Sequence, residues 1–186
     1  MGSVNLLAPA AELRRRVWLC ALGSVLAAVA VVFLLPGDLY LSSNLWDLPE
    51  YVAWRSFAAD SIHAGHFALW NPYVYSGQPF VGDYTSAELY PPNVLFLFLP
   101  LVRAFNLSML LHGLLLGWGV GYWAKRRGCH LGAAVLAGLA AMLSGPVFMR
   151  LPTGQIGNLC AMAWAPWMFV ALETAWRWRR RGAGRC

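Results

Sequence analysis

Asp47 and Glu50 stand three residues apart, so a helix through them sets both carboxylates on one face. A carboxylate placed where water meets an apolar surface can take the proton from a hydroxyl, which is general-base chemistry on a membrane-bound substrate. The same spacing is that of a capping box with Pro49 tolerated in the first turn, and in that reading the two acids only satisfy free amides at a helix start. Spacing alone leaves both readings open. Asp83, beside Gly82, is either a further polar group facing the same cavity or a turn residue. Arg55, Arg103 and Arg150 suit a phosphate, and equally suit lipid headgroups or pairing with nearby acids. His112 lies in an apolar run, where an ionisable side chain is a functional suspect unless it is a neutral imidazole bonded to a neighbouring helix. Trp46, Trp54, Trp70, Trp164 and Trp167 suit an aromatic belt or stacking on a sugar ring.

The elements that must position these residues are membrane helices. Of the 186 residues 59% are hydrophobic and 12% charged, a composition unsuited to a water-soluble surface. The net charge of +6 sits in three short clusters beside apolar runs, a topology signal that argues against nucleic-acid binding. Cys20, Cys129, Cys160 and Cys186 have neither metal-ligand spacing nor a disulfide framework. No phosphate-binding glycine loop, Ser-His-Asp arrangement or His/Cys metal cluster is present. The sequence names no cofactor and leaves a divalent cation open.

The positive-inside rule then predicts an all-α polytopic protein of four transmembrane helices with both termini cytoplasmic. A polar lead, 1–16, precedes a first span at 17–35, whose nineteen uncharged residues are too long for a secretory signal and lack a small-residue cleavage site. An outer loop, 36–104, carries six of the eight acids, an amphipathic surface helix at 47–64 stopped by Gly65, and a short apolar segment at 94–102. Spans at 105–124, 131–149 and 158–175 follow, and a basic tail, 176–186, ends the chain. Gly113, Gly117 and Gly121 predict a small-residue seam that packs on another made of Ala133, Ala137, Ala141 and Gly145.

The run Asp47-Leu-Pro-Glu-Tyr51, Trp54-Arg55-Ser-Phe57, Ala64-Gly-His-Phe-Ala-Leu-Trp-Asn-Pro-Tyr73, Gly77-Gln-Pro-Phe80, Asp83 and Leu89-Tyr-Pro-Pro-Asn93 resembles the amino-terminal part of bacterial YfhO-type integral membrane proteins. The resemblance continues through Ser144-Gly145, Arg150-Leu151, Ala163-Trp-Ala-Pro-Trp167 and Ala171-Leu-Glu173. Such proteins are similar to GT-C glycosyltransferases, which move a sugar from a polyprenyl-phosphate carrier on the outer face of the membrane. The resemblance implies an inner-membrane location, a lipid-linked sugar donor, and Asp47 as catalytic base with Glu50 and Asp83 beside it. Arg55, Trp70, Asn71, Gln78, Tyr90, Arg103 and Arg150 are the substrate-binding candidates. Relatives are longer, so the chain reads as the front portion of such an enzyme, and Gln155 stands where many relatives are expected to have His. The alternative is a non-enzymatic membrane subunit whose small-residue seams dock on a partner membrane protein.

Overall fold

The computed structural model describes residues 8–42, 47–83 and 85–183, with side chains from residue 19 to residue 180 except residue 21. Trp46 therefore lies outside the described residues. Almost all regular structure is helical: α1 (Ala8–Leu34), α2 (Asp47–His63), α3 (Leu95–Phe98), α4 (Leu101–Arg126), α5 (Leu131–Met142), α6 (Gly145–Phe148), α7 (Arg150–Thr153) and α8 (Ile156–Ala183). A two-residue hairpin, β1 (Trp70–Asn71) paired antiparallel with β2 (Gln78–Pro79), was not anticipated by the period-based reading. It is too short to show an alternation of apolar and polar residues.

Two helices, Leu101–Arg126 and Ile156–Arg180, are long and apolar enough to cross a membrane. A third span exists if α5 and the stretch Gly145–Thr153, bent by 46° from it, act together. Among the residues of α1 with described side chains, Leu22–Leu34 is apolar. The expected unbroken helix over 131–149 gives way at Ser144. There the Ser144 carbonyl accepts from the amides of Val147 (3.0 Å) and Phe148 (2.8 Å), and Pro146 has no amide with which to continue the previous turn.

α4 is the central strut. Gly117 and Gly121 do face α5, but the opposing residues are Ala134 and Gly138, one position on from the expected alanines. A Cβ on Gly138 would lie 2.5 Å from the Gly117 carbonyl oxygen, and one on Gly121 would lie 3.0 Å from that of Ala134. Gly113 meets nothing within 4 Å, so the seam is shorter than its sequence repeat. Gly119 is used on the other side, where Pro166 of α8 packs and Trp167 Nε1 donates to the Leu115 carbonyl at 3.0 Å. Arg126 Nη1 donates to Thr174 Oγ1 at 3.0 Å, so the basic ends of α4 and α8 are level.

At the opposite end the loop folds down onto these helices. α2 turns Leu48, Tyr51, Val52 and Ala59 toward the core built from Phe96, Phe105, Met109, Ile156 and Leu159. Its neighbouring face takes the hairpin, with Trp54 stacked on Phe80 at 4.9 Å and Ala58 and Ala68 buried beside them. A single apolar stripe facing down was expected. Two faces are buried because the 65–80 segment supplies a second apolar partner. Asn106, fully buried on α4, pins the chain after α1 by accepting from the Leu41 amide (2.9 Å) and donating to the Leu39 carbonyl (2.8 Å).

Candidate functional site

Asp47 is the first described residue of α2, and its Oδ2 accepts from Gln155 Nε2 at 2.6 Å. Gln155 sits between α7 and α8, where Gly154 turns the chain with a left-handed φ of 71°. An L side chain is strained there, and a Cβ would also meet Leu48 Cβ at 2.9 Å, so glycine is what lets the turn approach the start of α2. Ser42 Oγ donates to the Pro152 carbonyl at 2.8 Å and holds the preceding loop against the same turn.

The other end of the Gln155 amide faces a cation. Arg150 Nη1 donates to Gln155 Oε1, and Asn158 Nδ2 donates to the same oxygen at 3.0 Å. The amide orientation follows from its partners, since the reverse would face oxygen with carboxylate and NH₂ with guanidinium. A half-buried carboxylate and a half-buried guanidinium are thus held at the two ends of one side-chain amide. Glu50, one turn on, is exposed and stands apart from this bond network.

The remaining candidates divide among other tasks. Asp83 makes a turn: its Oδ1 accepts from the Thr85 amide at 2.7 Å and from the Thr85 hydroxyl, and its carbonyl accepts from Ser86 Oγ at 2.8 Å. Arg55 is 3% exposed and donates through Nη1 to the carbonyls of Thr85 (3.0 Å) and Ser86, so in this conformation it clamps the loop rather than facing an outside phosphate. Burial lowers its pKa from the ordinary guanidinium value, with Cys160 and Tyr51 acting in the opposite sense. Arg103 lies over the Phe33 ring of α1 at 5.0 Å. Asn71 is buried and accepts from the Tyr73 amide at 2.9 Å, the half-buried Gln78 pairs with it across the hairpin, and Trp70 covers Gly77. Of the ten candidates, the bond network joins Asp47 and Arg150 alone.

Tyr90 belongs to a second polar chain. His112 Nδ1–H donates to the Ser108 carbonyl at 2.7 Å, so Nε2 is the acceptor for the Tyr90 hydroxyl at 2.7 Å, which in turn accepts from Trp164 Nε1 at 2.7 Å. His112 is thus a buried imidazole tied to neighbouring segments.

Gln155, Asn158 and Ser42 were missed as participants. The signal available was an amide directly after a glycine turn between two apolar helices, which gains meaning only when the turn is seen to touch α2. No family model matches the chain, and neither a curated protein nor a solved structure does. Among the described residues no three His, Cys, Asp or Glu side chains gather as metal ligands.

Proposed function

We propose that the chain is the acid-bearing front portion of a GT-C-like membrane glycosyltransferase that uses a polyprenyl-phosphate-linked sugar, with Asp47 as the general base. The observation that carries the reading is the Asp47 carboxylate held by Gln155 opposite Arg150. Depth supports it as well. Gln155 precedes Arg177 by twenty-two residues along α8, about 33 Å of helix, against a hydrocarbon core of about 30 Å. The carboxylate is then at headgroup level on the side away from the basic ends, where a lipid phosphate and a water-borne hydroxyl meet.

In this mechanism Asp47 accepts the proton of the acceptor hydroxyl as its oxygen attacks the anomeric carbon. The carbon–oxygen bond to phosphate breaks, and the polyprenyl phosphate leaves with the electron pair. Gln155 keeps the carboxylate pointed and unpaired with Arg150, whose charge favours the departing phosphate.

The test is sugar transfer and donor binding by the chain in proteoliposomes containing polyprenyl-phosphate sugars. Asp47→Asn should abolish transfer while keeping donor binding and the melting temperature. Unchanged transfer in that variant, or neither binding nor transfer by the parent, would overturn the proposal.

A further inference from the structure

The segment between the hairpin and α4 lies deeper than a surface loop should. The Tyr90 hydroxyl is bonded to His112 and to Trp164, each at 2.7 Å. His112 precedes Lys125 by thirteen residues on α4, and Trp164 precedes Arg177 by thirteen on α8. Each interval is about 20 Å of helix, so the backbones of His112 and Trp164 lie about 10 Å inside a hydrocarbon core of about 30 Å, and their side chains, which lean toward the helix amino termini, hold this hydroxyl between that level and the boundary. A tyrosine side chain spans about that interval, so the backbone of Tyr90 is itself at the boundary. Phe96 packs into the protein core with Phe105 and Met109.

The backbone is prepared for such surroundings. Pro91 and Pro92 have no amide proton, the Tyr90 amide donates to Ala87 O (3.0 Å), the Asn93 amide to Tyr90 O (2.9 Å), and the Asn93 side chain to Ala87 O (2.6 Å). Non-helical backbone persists in a bilayer only when its polar groups are satisfied in this way. Meanwhile Leu89 is 73%, Val94 49% and Phe98 80% exposed, although they flank a segment whose other side is core.

We propose that Leu89–Phe98 is a re-entrant segment lodged in the leaflet at the loop end of the bundle, with Leu89, Val94 and Phe98 against phospholipid acyl chains. It rests on the membrane-spanning reading of α4 and α8, and is independent of sugar transfer. Apolar contact on one side and the Tyr90 hydroxyl on the other fix the segment's height, and through Arg55 and the carbonyls of Thr85 and Ser86 they fix that of α2.

The experiment places the photo-cross-linker benzoyl-phenylalanine at Leu89, Phe98 or Leu172 in the full chain, reconstituted in palmitoyl-oleoyl phosphatidylethanolamine and phosphatidylglycerol. Leu172 is an exposed residue of α8 and reports on the span itself. The expected result is a mass shift of one phospholipid at all three positions, attached through an acyl carbon by fragment-ion analysis. A lipid adduct at Leu172 with none at Leu89 and Phe98, attachment there to headgroups only, or a cross-link there to a second copy of the chain overturns the re-entrant segment and leaves the span intact. Failure at Leu172 as well overturns both.

Discussion

Replacing Gly138 with alanine puts a methyl carbon 2.5 Å from the Gly117 carbonyl oxygen, where ordinary contact begins at 3.4 Å. The neighbour is backbone and cannot swing aside, so α4 and α5 must separate by roughly 0.9 Å along that line. Overpacking of this kind costs about 1–3 kcal/mol. Gly113→Ala is the control: it lies on the α4 repeat of Gly117, its methyl would meet nothing within 4 Å, and the gain in helix propensity is up to about 1 kcal/mol. The two substitutions therefore differ in sign. Denaturant titration of the full chain in detergent micelles, followed by tryptophan fluorescence, measures both, with Gly138→Ala unfolding earlier than the parent and Gly113→Ala no earlier. A Gly138→Ala protein as stable as the parent would refute the backbone-to-backbone contact, and with it the pairing of Gly117 with Gly138 as the seam.

Three further outcomes follow from particular bonds. Gln155→Leu strips the amide from Asp47, Arg150 and Asn158; water partly replaces it at the half-buried Asp47 and Arg150 and at the exposed Asn158, so the expected loss is about 1–2 kcal/mol of unfolding free energy in the same titration. Arg55→Met orphans two loop carbonyls, and hydrogen-exchange mass spectrometry should show faster exchange over 83–90 with little change in α4. Tyr90→Phe removes the hydroxyl that joins His112 to Trp164, and should lower the melting temperature of the full chain.

Much of the architecture is written in local chemistry. Basic clusters after apolar runs located α4 and α8, Gly65 bounded the end of α2 to within a residue, and Pro36 stands just beyond the end of α1. These are properties of neighbouring residues and of what a bilayer or a helix terminus tolerates, so they are readable without a fold. The register of the seam was not, because a four-residue repeat of small side chains fits a partner equally well one position over. It was settled by which carbonyls α5 could bring against Gly117 and Gly121.

The candidate site divides along the same line. Asp47 stood out because a carboxylate ahead of a helix beside apolar segments is chemically conspicuous. The partner that orients it, Gln155, is 108 residues away and became visible only when Gly154 let the turn reach Leu48. Asp83 and Arg55 carried as much promise by residue type, yet the folded chain uses one as a turn and the other as a buried clamp. A sequence states which side chains can ionise. Long-range packing states which of them meet, because the contacts that bring α2, the α7–α8 turn and the 85–98 segment together depend on surfaces that exist only after each has folded.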